Sequence, residues 1–214
     1  MDIAIIGAGN VGGTLGTRWA QGGHHVTFGV RDVRDRKNQE LLRSAGPSAR
    51  VASVSEAAAG AAVVLLSTPW TNTQEALRSA GDLSSKVLID ATNPILLGSD
   101  LLKEGLLVGH KTSGAEQVAS WASGARVVKG FNSVGWPIMA NPRLGTQPAS
   151  MLICGDDSEA KTVVKQLSDE LGFETVDVGH LALARLLEPY GMLWIQMCVG
   201  LGWGPDFAFH VIKR

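Results

Sequence analysis

Short, wholly apolar runs alternate along this chain with longer segments whose apolar residues recur every three or four positions. Ile3–Ile6 is the first such run and reads as a buried strand. Val11, Leu15 and Trp19 follow at four-residue spacing, one face of a helix that Gly22-Gly23 ends. His25–Phe28 reads as a second strand, Lys37–Ala45 as a helix stopped by Gly46-Pro47, and Arg50–Ala52 as a short strand. A short helix over Val54–Ala59, capped by Ser53 or Ser55, leads to a strand at Ala62–Ser67. Then come a helix at Thr71–Ser79, a strand at Val87–Asp90, a helix around Ala115–Trp121 and strands at Val127-Val128 and Ser150–Cys154. Asp157 caps a long helix to about Leu171, and Glu174–Val178 is the last strand. Asn141–Ala149 is expected to be a loop, and two apolar helices broken near Gly202–Pro205 are expected from His180 onward.

Strands that are apolar throughout, rather than alternating, belong to a sheet covered on both faces. The strand–helix alternation makes that sheet mostly parallel and the fold class α/β, with a small helical appendage at the C-terminus. Composition narrows the function. Of 214 residues, 45% are hydrophobic and 18% charged, and the net charge is −1. That excludes a disordered chain and leaves no overall field to attract nucleic acid or an anionic membrane. The 26 glycines have no three-residue period, which excludes collagen. The chain enters its first strand without a signal-type leader, and Leu181–Trp203 is interrupted by Arg185, Glu188, Pro189 and glycines. A cytoplasmic protein is expected, with Cys154 and Cys198 as two buried thiols. None of the five histidines has metal-ligand or triad spacing, so no metal site is expected; His24 and His25 are expected at the surface.

Gly7-Ala8-Gly9-Asn10-Val11-Gly12 joins the first strand to the first helix. In that setting each glycine has a task. Gly7 allows the tight turn, Gly9 lets backbone approach a pyrophosphate, and Gly12 lets helix and strand pack closely. The unpaired N–H groups and dipole at the helix start favour phosphate charge. A doubly wound, Rossmann-type sheet follows, with residues 1–179 as the dinucleotide-binding part and 180–214 as a C-terminal helical segment. About 20 residues past the motif, NAD binders place an acidic residue on the ribose. Here Val30 ends the strand and Arg31 follows, a guanidinium suited to the 2′-phosphate of NADP. Lys37, Arg34 and Arg36 are further cations nearby, and Asp32 is the one residue that would suit NAD.

Two other strand ends should face the same crevice. Thr68, Pro69 and Trp70 form one, and Asn93 with Pro94 the other; Thr68 and Asn93 suit hydrogen bonds to the cofactor, and Trp70 suits stacking or core packing. Lys129 and Asn132 follow the strand at Val127-Val128. Lys129 is expected as a surface cation or a cleft group, Asn132 as an amide partner for the nicotinamide or second substrate. No acid–base pair or nucleophile stands out, so no catalytic side chain is expected beyond Asn132 and Lys129 as candidates.

The blocks GAGNVGGTL, GVR…K, STPW, DATNP, VVKGFN, ICGDD and VDVGHLALARLLEP occur in this order. In these the chain resembles the NADP-dependent oxidoreductases that exchange hydride with the deazaflavin coenzyme F420. It is similar also to the cytosolic oxidoreductase domain of six-transmembrane metalloreductases. The resemblance implies phosphate-loop roles for Gly7, Ala8, Gly9, Asn10, Val11 and Gly12, a 2′-phosphate role for Arg31 and Lys37, and a cofactor-loop role for Thr68, Pro69 and Trp70. Where the deazaflavin enzymes have a serine before that arginine, this chain has Val30; where they have an acceptor-pocket histidine, it has Asn132 or a neighbour. It implies NADP(H) as cofactor, F420 or a flavin as co-substrate, ring-to-ring hydride transfer and a homodimer, with residues 180–214 closing the acceptor pocket and giving the dimer contact. The residues themselves leave two other readings open: a reductase of small ketones or imines, and a dinucleotide-binding regulatory protein without turnover.

Overall fold

The computed structural model describes residues 1–96, 98 and 100–214, with Leu101 by its backbone alone. The strands are β1 (Asp2–Ile6), β2 (His25–Val30), β3 (Ala49–Ser53), β4 (Val63–Leu66), β5 (Val87–Asp90), β6 (Arg126–Lys129), β7 (Arg143–Leu144), β8 (Gln147–Pro148), β9 (Ser150–Gly155) and β10 (Glu174–Asp177). The helices are α1 (Asn10–Gln21), α2 (Lys37–Ala45), α3 (Val54–Ala59), α4 (Trp70–Ala80), α5 (Leu101–Glu104), α6 (Gly114–Trp121), α7 (Trp136–Ala140), α8 (Ser158–Leu171) and α9 (Ala184–Ile195). Eight strands form one sheet in the order β10-β9-β6-β5-β4-β1-β2-β3. Every neighbouring pair is parallel except β6 with β9, which runs antiparallel through Val128–Gly155 and Lys129–Cys154. The sheet is therefore doubly wound and mostly parallel.

The two faces of the sheet explain why its strands are apolar throughout. Ile3 and Ile5 enter a core with Leu15, Trp19, Phe28 and Val164, while Ala4 and Ile6 enter another with Ala57, Leu66, Leu77 and Val118. Successive side chains point to opposite sides of a strand, so a strand covered on both sides must be apolar at every position. Each large side chain buried in this way contributes roughly 1.5–3 kcal/mol. Trp19 also satisfies its buried indole N–H, which donates to the Leu167 carbonyl at 3.0 Å. Caps fall where the sequence places them: Ser53 forms a capping box with Glu56, and Asp157 Oδ1 accepts from Ala160 N–H.

Three expectations are corrected. The segment 141–149 contains the short antiparallel pair β7–β8 rather than loop alone. The second C-terminal helix is absent. α9 continues into a π-helical turn at Gln196–Gly200, and residues beyond it run extended. Gly202 and Gly204 adopt positive φ, and Pro205 follows, so no helix restarts there. The tail instead returns along α9: Phe207 stacks on Trp194 with centroids 5.0 Å apart, and Phe209 lies 4.8 Å from the Tyr190 ring. Their two-residue spacing is that of an extended chain. Finally, His24 is buried, held between the Met1 amino group and Glu170 at 2.7 Å, while His25 is exposed as expected. Among the described residues no helix is long and apolar enough to cross a membrane.

Candidate functional site

The glycine turn after β1, Arg31 after β2 and Thr68-Pro69 after β4 lie at the carboxyl ends of parallel strands, beside the reversal between β1 and β4, where open α/β sheets take their ligands. Gly7 has φ +100°, and a Cβ there would stand 2.7 Å from the Ser67 carbonyl carbon. Only glycine meets both demands. The Ser67 hydroxyl donates to the Gly7 carbonyl at 2.8 Å, which ties the turn to the end of β4. A side chain on Gly12 would run into the Gly7 carbonyl oxygen and the Ser67 hydroxyl. Gly9 differs: a Cβ there meets nothing within 4 Å. The protein's own packing therefore does not require glycine there. α1 begins at Gly9 with no side-chain cap and no acidic residue in its first turn, which leaves its N-terminal dipole to an anion.

A cleft of about 440 Å³ opens beside this turn, lined by Gly7, Ala8, Gly9, Val30, Arg31, Thr68 and Pro69 among others. An uncapped helix start, an open position at Gly9 and a guanidinium along one cleft fit the pyrophosphate and 2′-phosphate of NADP(H). Asp32 is turned into its own loop: its Oδ1 accepts from Arg34 N–H at 2.9 Å and its carbonyl accepts from the Asn38 amide. Asp35, Asn72, Glu75, Ala76 and Ser79 also line the cleft and were not anticipated. The last four fall at helical spacing along α4, on the face next to buried Thr73, Leu77 and Ala80, so periodicity in α4 was the signal for them. Asn10, Val11 and Gly12 lie in the first turn of α1 rather than on the cleft wall, and Lys37 opens α2 in an exposed position. Trp70 is half-buried against Trp121, with ring centroids 5.4 Å apart, and packs with the apolar layer under α6. Its core reading is the one the geometry carries.

At the ends of β5 and β6 the structure departs from the sequence reading. Lys129 is neither at the surface nor in a cleft; it is 0% exposed. Its Nζ meets three acceptors: Asp90 Oδ2 at 3.0 Å, Glu188 Oε1 at 3.0 Å and the Thr92 carbonyl at 2.5 Å. That saturates an ammonium group. Asp90 Oδ1 accepts from Thr92 N–H and hydroxyl, and Glu188 accepts from Gly114 N–H at 2.8 Å and Ala115 N–H at 2.9 Å. Every charge in the cluster is therefore hydrogen-bonded, as burial requires. Burial by itself depresses the Lys129 amine, but the Asp90 and Glu188 carboxylates outweigh it and hold the amine above its ordinary range. Cys154 lies in the same region, and burial pushes its thiol up to about 12, which makes it unreactive. Cys198 is half-buried rather than buried, and neither cysteine is paired. Asp90 and Glu188 were missed; the signal was charge at the end of, or inside, otherwise apolar runs.

Asn93 and Asn132 form an interlocked amide pair beside this cluster. Asn93 Nδ2 donates to the Asn132 carbonyl at 2.7 Å, and Asn132 Nδ2 donates to Asn93 Oδ1 and the Leu187 carbonyl, both at 3.0 Å. Asn132 Oδ1 is buried without a partner among the described residues. The structure thus brings together Gly7, Ala8, Gly9, Val30, Arg31, Thr68 and Pro69 along one cleft, and Asn93 with Asn132 just past the ends of β5 and β6, outside that lining.

Residues 2–94, which span the glycine turn, Arg31 and Asn93, match the family model described as NADP oxidoreductase coenzyme F420-dependent. Over these residues the chain is similar to that family. It is 28% identical over 210 residues to the F420-dependent NADP reductase of Methanocaldococcus jannaschii, covering 92% of each chain. It is 33% identical over 190 residues to Metalloreductase STEAP3 of Rattus norvegicus, 87% of this chain but 35% of that one. The chain therefore spans about a third of the metalloreductase's length. A solved structure from Arthrobacter sp. FB24, provisionally assigned as an F420-dependent NADP-reductase, superposes over the full length of both chains with a TM-score of 0.89 and 29% identity. A reductive aminase from Aspergillus terreus shares the fold alone, at 20% identity and a TM-score of 0.67.

Proposed function

We propose that the protein binds NADP(H) in the crevice and transfers hydride between the nicotinamide and a deazaflavin or flavin ring. The observation that carries the nucleotide part is Gly9. Its open Cβ position, above an uncapped helix start and in line with Arg31 in one cleft, suits a pyrophosphate whose adenosine end bears a further phosphate. The bound nicotinamide supplies the hydride. The chain's own contribution is alignment: two stacked rings exchange hydride at near-attack distance without a side-chain acid or base. The burial of Lys129 supports this division, since it leaves that amine no route to a reacting atom. Asn93 and Asn132 serve the nicotinamide half. The acceptor class rests on the relatives named F420-dependent NADP reductase.

On this reading residues 1–179 hold the nucleotide and 180–214 close the acceptor pocket. Leu193, Val199, Leu201 and Trp203, all exposed, give the contact with a second copy. Two unpaired cysteines support a cytoplasmic setting.

The test combines binding and turnover. Arg31→Ala should weaken NADPH by roughly 1.5–3 kcal/mol, the worth of charged hydrogen bonds, and change NADH little. Equal losses for both would remove the 2′-phosphate role. Nicotinamide absorbance followed with F420, FMN, FAD and a panel of ketones and imines then sorts the acceptor. Turnover with a ring cofactor supports the proposal; turnover with carbonyl compounds alone, or tight NADPH binding with no turnover, sinks it.

A further inference from the structure

α9 meets the ends of β5 and β6 through one narrow face. Leu187 gives its carbonyl to the Asn132 amide. Glu188 gives its carboxylate to Lys129 and to the first N–H groups of α6. One turn on, Gly191 has no side chain, and a Cβ there would stand 2.8 Å from the Asn132 carbonyl oxygen, 2.9 Å from its Nδ2 and 3.0 Å from Asn93 Oδ1. The helix is thus pressed directly onto the amide pair.

That contact decides which way the amides point. Asn93 Nδ2 is committed to the Asn132 carbonyl, so Asn93 presents its oxygen to Asn132. Asn132 then faces two acceptors, Asn93 Oδ1 and the Leu187 carbonyl, and only its NH2 end satisfies both. Its Oδ1 is left buried and unpaired. An unsatisfied buried acceptor is unfavourable, because it has given up its water partners and gained none. The protein holds that arrangement because α9 is fixed from below by a fully hydrogen-bonded charge cluster.

We infer that Glu188 is a positioning residue for the nicotinamide side of the crevice: through Lys129 it seats α9 on the ends of β5 and β6 and so locks the Asn93–Asn132 pair in one orientation. This rests on the NADP(H) reading given above. Glu188 is 0% exposed and touches no ligand itself. In a sheet of this strand order the nicotinamide half lies over β4, β5 and β6, and the adenosine half over β2 and β3. The helix that fixes the amides therefore acts on one half of the cofactor only.

The experiment measures two ligands on three proteins. NADPH reports on both halves of the crevice; adenosine 2′,5′-bisphosphate reports on the adenosine half alone. Glu188→Gln removes the charge but keeps the shape; Gly191→Ala pushes α9 off the amides and leaves every charge in place. Both variants should lose NADPH affinity on the order of tenfold and hold the bisphosphate within about twofold of wild type. Equal losses for the two ligands, or no loss, would overturn the inference. Should Glu188→Gln fail to fold, Gly191→Ala decides it by the same comparison. Wild-type protein that fails to bind the bisphosphate counts against the NADP(H) reading instead. In that event the side-chain amide resonances of Asn132 decide the positioning role: displacement in Glu188→Gln supports it, and unchanged signals refute it.

Discussion

The Ser67 hydroxyl donates to the Gly7 carbonyl across 2.8 Å, and so the end of one strand holds the shape of the turn that follows another. The two residues are 60 positions apart. Ser67→Ala removes this side-chain bond to the carbonyl and should cost about 1 kcal/mol of stability. NADPH affinity should fall by several-fold in the same variant, because a turn no longer pinned must be ordered on binding. Thermal unfolding and NADPH titration check the two effects separately.

Gly9 separates binding from folding. Its backbone (φ −78°, ψ −158°) is extended, a conformation open to any residue, and its Cβ position is clear. Gly9→Val should therefore fold with a stability change below about 1 kcal/mol, the scale of a helix-cap exchange. Nucleotide binding should be abolished. A variant that keeps its NADPH affinity would remove the turn from the proposed site.

Lys129 is the only cation in its buried cluster with Asp90 and Glu188. Lys129→Met leaves two carboxylates facing each other out of water and should cost about 3–5 kcal/mol, read as a lower denaturant midpoint. The amine's folded pKa lies above its ordinary 10.5. Its stabilisation is therefore complete below pH 10.5 and is lost as pH rises through the higher folded value. Wild-type protein should lose this contribution in strong alkali, and the variant should not.

A second link joins the same helices nearer the surface. Arg185 Nε on α9 donates to Glu116 Oε2 on α6 at 2.9 Å, and this bond, with that from Ser113, holds the Glu116 carboxyl below its ordinary 4.5. A depressed carboxyl stabilises the fold above its unfolded pKa, and the effect disappears as pH falls through the folded value. Arg185→Met should thus be less stable than wild type at neutral pH, and the difference should close in acid. Denaturant titrations of both proteins across that range test this.

Much of the molecule was legible in its order of residues. Ile3–Ile6 announced a strand buried on both faces, because a covered strand has no position left for a polar side chain. The glycine turn after β1 and the place of Arg31 just past β2 were legible because both follow from local chain order. Asn72, Glu75, Ala76 and Ser79 were within reach of the same reasoning, had helical period been applied to the polar face of α4. The C-terminal tail was misread because its apolar content suggested a second helix, whereas Phe207 and Phe209 are two apart and pack as an extended chain would.

What the sequence determined alone is whatever depends on near neighbours: strand and helix periods, the caps at Ser53 and Asp157, and the glycine turn after β1. What only the tertiary structure decided depends on residues far apart meeting. Lys129 looked like any cation after a strand until Asp90, 39 positions before it, and Glu188, from the C-terminal helix, closed around its amine. A charge is exposed or buried according to what packs over it, and that information is held in the fold rather than in the residues on either side.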